Sequence, residues 1–140
     1  SPDTYSPDAI PIEWLKELNN YEHISWEKHS DDIDDFLNTI HIFVLPTYYP
    51  EGLPKSLLEA GAKGLPLIAT NSSGCREVIQ NGYNGYLVNI KDQIELAQRM
   101  YEFSIDRSKI DKFGKNSRNL IESEYDVKIV NNKTIDLYKL

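Results

Sequence analysis

The chain has almost no sulfur. Cys75 is its only cysteine and Met100 its only methionine among 140 residues. One thiol excludes an internal disulfide framework and a cysteine zinc cluster, and it suits a reducing cytoplasm. No apolar run approaches the ~20 residues of a membrane span, and the longest, such as Ile42–Leu45, are strand-sized. Ser1–Ala9 is polar and proline-rich, without the basic start of a secretory signal. His23, His29 and His41 never approach metal-ligand spacing, so no metal is expected. Basic residues are scarce early on. Within a net charge of −7, positions 1–40 set only Lys16 and Lys28 against ten acidic residues, a local balance of −8. That sign argues against a nucleic acid partner and against docking on an anionic membrane. The nine tyrosines and four phenylalanines are too dispersed to form a stacking platform.

What remains is one domain's worth of alternating elements. Ser1–Pro11 reads as loop. Ile12–Leu18 has helical spacing, and Tyr21–Trp26 alternates like a short strand. Ser30 can cap a helix over Asp31–Asn38, and the aspartates there form a solvated first turn rather than a metal cluster. Ile40–Leu45 reads as a buried strand stopped by Pro46, with His41 packed at its start. Thr47–Leu53 is a loop, Pro54 fits the first helical position, and Lys55–Lys63 continues the helix to Gly64. Leu65–Thr70 is a second buried strand, followed by a turn and a short helix over Cys75–Gln80, where Cys75 is read as a structural thiol. A turn cluster at Asn81–Gly85 leads to the strand Tyr86–Val88. Helices are predicted over 92–104, 107–123 and 126–139, from the spacing of Ile94/Ala97/Tyr101 and of Val127/Val130/Ile135/Tyr138. This alternation predicts an α/β fold, a Rossmann-like parallel sheet with helices on both faces. Ligands bind such sheets outside the carboxyl ends of their strands, which confines the functional search to Pro46–Glu59 and Asn71–Glu77.

Within the first stretch a strand ends, a loop offers Glu51, and a helix begins at Lys55. The exposed amides and positive dipole of a helix start suit a phosphate. Lys55 in that first turn opposes the dipole, which an anion would offset, although an ordinary solvated lysine fits as well. Glu59, about one and a half turns in, can accept hydrogen bonds from a diol. A glycosidase acid–base pair fits poorly. It needs carboxyls ~5 Å apart, whereas eight residues of mostly helix span ~12 Å.

Glu51 and Glu59, set after a strand ending Val44-Leu45-Pro46-Thr47, resemble the glutamate pair of the retaining glycosyltransferases of group 1 (family 4). The similarity extends through Ser30-Asp31-Asp32-Ile33, Glu51-Gly52-Leu53-Pro54, Leu57-Leu58-Glu59-Ala60, Gly64-Leu65-Pro66, Gly74-Cys75-Arg76-Glu77-Val78 and Asn84-Gly85-Tyr86-Leu87-Val88. It covers nearly all of the chain and looks like the C-terminal half of a GT-B enzyme, of the bacterial surface-polysaccharide type.

The resemblance implies a nucleotide-diphosphate-sugar donor of the UDP or GDP type, a saccharide or lipid-linked acceptor, and no cofactor or metal. It implies that Glu51, as the catalytic carboxylate, and Gly52, Leu53 and Pro54 hold the sugar. Glu59 would bond the ribose, Thr47, Lys55 and Ser56 would approach the diphosphate, and His29 would approach the base. Against the family pattern the chain is expected to lack the first strands of its sheet and the N-terminal partner domain. The resulting open sheet edge is expected to leave the isolated chain marginally stable or self-associating. The localisation implied is cytoplasmic, with the missing domain reaching the inner face of the membrane. Two other classes remain open at this point: a non-catalytic nucleotide-sugar-binding module or truncated product, and a flavodoxin-like protein-interaction domain.

Overall fold

Apolar runs bounded by proline and glycine set the strands. The computed structural model describes residues 10–27, 32–49 and 51–138. They fall into two compact units, Ser1–Phe36 and Leu37–Leu140.

In the first unit, α1 (Ile12–Glu17) runs into a 3-10 turn, Leu18–Asn20, and neither contains a buried residue. The strand expected over Tyr21–Trp26 does not form. The Ile24 amide donates to the Tyr21 carbonyl (3.1 Å) and the Trp26 amide to Asn19 Oδ1 (2.6 Å). These local bonds satisfy the backbone in a turn, the usual competitor of a strand with no partner. The next helix, α2 (Ile33–Asn38), starts later than expected, and its last two residues belong to the second unit. Asp32 Oδ1 accepts from the Asp35 amide (3.0 Å), so an aspartate serves as a cap. Ser30, the expected cap, and His29 lie outside the described residues.

The second unit contains the sheet. Strands β1 (Phe43–Leu45), β2 (Leu67–Thr70) and β3 (Gly85–Val88) are all parallel and stand in that order. Val44 pairs with Ile68, and Ile68 with Tyr86. Every residue of β2 is buried, whereas β1 is only half-buried. The expectation of a buried β1 is corrected on this point, because among the described residues β1 has a neighbour on one side only. His41 is likewise exposed rather than packed.

Side chains alternate between two cores, as the pleat requires. Leu67, Ala69 and the half-buried Phe43, Leu45 and Leu87 face one side. There they meet α3 (Lys55–Ala62) through Leu57 and Ala60, and α4 (Ser73–Val78) through Cys75 and Val78. Cys75 is fully buried and free, as a structural thiol should be. Ile68, Tyr86 and Val88 face the other side, toward Leu96 and Phe103 of α5 (Gln93–Ile105). Helix α6 (Arg107–Tyr125) joins the two faces, giving Phe113 to one core and Ile121 to the other.

To change faces, α6 passes beneath the amino ends of the strands. Ser117 Oγ donates to the Asn84 carbonyl (3.0 Å), Asn116 Nδ2 to that of Tyr83 (2.8 Å), and the Arg118 guanidinium to that of Ala62. A Cβ at Gly114 would collide with the Gly64 carbonyl oxygen, so the crossing needs a glycine. Gly64 itself ends α3 at φ +76°, the left-handed position foreseen for it.

The three C-terminal helix predictions hold in extent, but the apolar spacing read on the first and the last does not mark a buried face. The residues whose spacing marks α5 lie outward, with Ile94 74% and Tyr101 64% exposed. On α7 (Val127–Tyr138) no residue is buried. Helix α4 begins two residues before its expected start.

A charged cluster ties β3, α5 and α6 together. The Tyr86 hydroxyl (3.0 Å), Arg99 (2.7 Å) and Lys109 (3.0 Å) all donate to the Glu102 carboxylate, and the Arg99 guanidinium lies 4.6 Å from the Tyr86 ring centroid. The Lys109 bond above all holds the Glu102 carboxyl below the ordinary value near 4.5. Burial, then the Glu102 bond, pushes the Tyr86 phenol up. A depressed carboxyl stabilises the fold above its unfolded pKa, and that stability is lost as pH falls through the folded value. Glu102→Gln is therefore expected to melt below the wild type at neutral pH. The gap should close as pH falls below about 4.5, followed by circular dichroism. A gap unchanged in acid would assign the effect to packing rather than charge.

Candidate functional site

The three strands end together at Leu45, Thr70 and Val88. From there three connections rise: 46–54, the short step 71–72 into α4, and the loop from Asn89 into α5. The first carries most of the candidate residues.

Its root is fastened to the sheet. Thr70, 3% exposed at the end of β2, donates its hydroxyl to the Thr47 carbonyl. The Thr47 hydroxyl in turn reaches Glu51 Oε1 at 3.5 Å. Further along, Tyr48 and Tyr49 stack with ring centroids 4.4 Å apart, and the Lys91 ammonium lies 5.3 Å from the Tyr48 ring centroid. Lys91 is the non-glycine residue with positive φ (64°) among the described residues. Pro46, Tyr48, Thr70, Val88, Lys91 and Leu96 contribute to the walls of a cavity of about 160 Å³ behind the loop.

The tip rests on α4. A Cβ at Gly74 would fall inside the Gly52 carbonyl oxygen and 2.8 Å from the Glu51 oxygen. The Glu51–Gly52 backbone thus lies directly against that helix. Glu51, Gly52 and Leu53 are exposed, and Pro54 is buried.

Pro54 is the N-cap of α3 rather than its first residue, in extended conformation (φ −69°, ψ 112°). Its carbonyl accepts from the Leu57 (3.1 Å) and Leu58 (3.3 Å) amides. That oxygen is already engaged in the helix, so Pro54 shapes the turn instead of offering a ligand atom. The N-cap of α3 makes no side-chain cap bond, and a helix start of that kind suits an anion. Lys55 Nζ lies 3.3 Å from Glu59 Oε1, with the lysine 87% and the glutamate 33% exposed. An exposed i, i+4 pair of this kind adds only ~0.3–0.5 kcal/mol, so it is easily rearranged.

The structure therefore gathers Thr47, Glu51, Gly52, Leu53, Lys55, Ser56 and Glu59 on one loop and the start of one helix. Thr70, which holds the loop root, and Gly74, which underlies its tip, received no role from the sequence. Gly74 stood there only as one letter of a motif. Its sole local signal is a glycine at the start of a helix, where no turn demands one. Arg76 also belongs to this edge, donating to the Asn71 carbonyl (3.2 Å) and to Asn71 Oδ1 (3.0 Å). Among the described residues no three metal-ligating side chains converge.

A parallel sheet with helices on both faces and its loops opening at the carboxyl edge is an α/β domain of the Rossmann-like type. The family is narrower. The chain belongs to the glycosyl transferases group 1, whose model matches residues 11–120. It is 31% identical over 103 residues to the capsular polysaccharide biosynthesis glycosyltransferase CapM of Staphylococcus aureus, covering 74% of this chain and 27% of that protein. It is 33% identical over 133 residues to the N,N'-diacetylbacillosaminyl-diphospho-undecaprenol alpha-1,3-N-acetylgalactosaminyltransferase of Campylobacter jejuni, covering 95% of this chain and 34% of that one. The crystal structure of Anabaena Alr3699/HepE in complex with UDP superposes with a TM-score of 0.74 at 23% identity, over 79% of this chain and 31% of that chain. The fold is thus that of GT-B glycosyltransferases. The chain spans about a third or less of the length of these relatives. No helix of the described residues is long and apolar enough to cross a membrane.

Proposed function

We propose that this chain is the donor-binding half of a retaining glycosyltransferase. It takes a sugar from a UDP- or GDP-type nucleotide-sugar and delivers it to a saccharide or lipid-linked acceptor during bacterial surface-polysaccharide synthesis. The observation that carries this reading is the pairing of the Glu51 loop with the uncapped start of α3, where Lys55 and Glu59 stand side by side. A cation beside a carboxylate, over free helix amides, matches a molecule whose phosphates adjoin a diol. The relatives support the reading. One is named for capsule synthesis, another for a sugar on a diphospho-undecaprenol, and HepE was solved with UDP.

In this reading Glu59 accepts the two ribose hydroxyls. Lys55 and the amides of Lys55 and Ser56 face the diphosphate, whose growing charge they stabilise as the bond to the sugar breaks. Thr47 keeps the Glu51 carboxylate at the sugar, with Gly52 and Leu53 beside it. The sugar acquires positive character as the diphosphate leaves, and a nearby carboxylate favours that charge. The acceptor meets the sugar from an N-terminal partner domain that faces this one. The reaction takes place in the cytoplasm, at the inner face of the membrane when the acceptor is lipid-linked.

Two substitutions in the full-length enzyme test the assignment. Glu59→Gln replaces a charged acceptor by a neutral one of similar shape. A charge-assisted bond contributes about 1.5–3 kcal/mol, so donor affinity should fall ~10-fold or more in calorimetry. Equal affinity would refute the ribose contact. Glu51→Gln is expected to lower kcat ~100-fold, with a much smaller change in donor affinity. A raised KM at normal kcat would reduce Glu51 to a sugar-hydroxyl contact, and normal values of both would move the site elsewhere.

A further inference from the structure

The loop that carries Glu51 bonds within itself from the Thr47 hydroxyl to Glu51 and from the Tyr48 hydroxyl to that of Tyr49 (3.1 Å). Between Thr47 and Leu53 the side chains are mostly exposed, and the Thr47–Glu51 bond is long at 3.5 Å. Besides the Lys91 ammonium beside the Tyr48 ring, it meets the body of the domain at two places that bear on the backbone leading to and carrying Glu51. At the root, the buried Thr70 hydroxyl holds the Thr47 carbonyl. At the tip, the Glu51 and Gly52 carbonyls press on α4 at the one position where a side chain would not fit. Gly74 has no positive φ, so its backbone does not demand glycine; the space does.

We infer that Thr70 and Gly74 are positioning residues for the sugar-transfer step. They fix the height and tilt of the Glu51 loop over the carboxyl edge of the sheet without touching the donor. The inference rests on the donor-site reading given above. Its physical content is that a carboxylate on an exposed loop stabilises developing charge only when its backbone is fixed beforehand. A shift of about 1 Å at such a group can cost ~100-fold in rate. Binding of the nucleotide, which Glu59 and the start of α3 would carry, depends little on the same shift.

The Thr70 hydroxyl allows a clean test, because its shape and its hydrogen bond can be removed separately. Thr70→Val keeps the shape and deletes the bond; Thr70→Ser keeps the bond and deletes a methyl group. The measurement is donor turnover by the full-length enzyme with UDP-glucose, UDP-galactose and GDP-mannose as probes, beside calorimetric titration with UDP and GDP. Thr70→Val should lower kcat at least ~10-fold with nucleotide affinity changed less than ~3-fold, while Thr70→Ser stays near wild type. Gly74→Ala should reproduce the kcat loss. If that variant fails to fold, the Thr70 pair decides alone. A purely structural role predicts the reverse order, since a buried strand position tolerates an isosteric valine better than a cavity. Serine as impaired as valine, or valine as active as wild type, overturns the inference. If the wild type binds neither nucleotide, the donor-site reading fails, and this inference with it. Normal wild-type binding and turnover with an unimpaired Thr70→Val variant overturns the positioning role alone.

Discussion

The structure depends on β2. All four of its residues are buried, so every backbone amide and carbonyl must find a partner inside the protein. The neighbours supply them. Phe43 bonds to the Pro66 carbonyl (3.0 Å), Leu67 to that of Asn84 (3.2 Å), and the register with β1 and β3 completes the ladder. Because β2 is covered on both faces, helices must lie on both, and the chain has to carry α6 from one to the other. The same strand then delivers Thr70 to the carboxyl edge with its hydroxyl already turned toward the loop after β1. A central strand buried on all sides thus fixes the layer order and also the point from which the candidate site is suspended.

The two ends of the sheet are built differently. At the amino ends the connections are clamped. Gly64 and Gly114 approach without side chains, buried Asn84 bonds to the Gln80 amide (2.8 Å) and the Val78 carbonyl (3.1 Å), and α6 takes three carbonyls as it crosses. At the carboxyl ends the loops carry exposed tyrosines, charges and an uncapped helix. Unsatisfied amides at that end are affordable only because they face solvent or a ligand, whereas equivalent groups beneath the sheet would be buried.

Much of this was legible in the residues. Proline and glycine mark the ends of β1 and α3, the apolar runs mark the strands, and the glutamates fall where the alternation places ligand-binding loops. Three things were not legible. The alternation of Tyr21–Trp26 is a sound strand signal, but a strand requires a partner and that segment bonds to itself. On α5 the regular apolar spacing of Ile94, Ala97 and Tyr101 marked a helix and the wrong face of it. The inward face mixes Leu96 and Phe103 with Arg99 and Glu102, which pair with each other (2.7 Å) and are completed by the Tyr86 hydroxyl and the Lys109 ammonium from elsewhere in the chain. Finally, Thr70 and Gly74 act through partners distant in sequence, and no local pattern records what a glycine must make room for.

The division between a clamped floor and an open rim bears on how such a chain diversifies. The described residues among 48–53 contribute no buried side chain to either core, so exchanging them leaves that packing unchanged. Gly74 sets the boundary of that freedom. A replacement segment has any sequence its chemistry requires, provided its backbone runs over the same bare spot on α4. Variation in this segment then amounts to swapping a short ribbon laid across a fixed anvil, with the core of the domain left untouched.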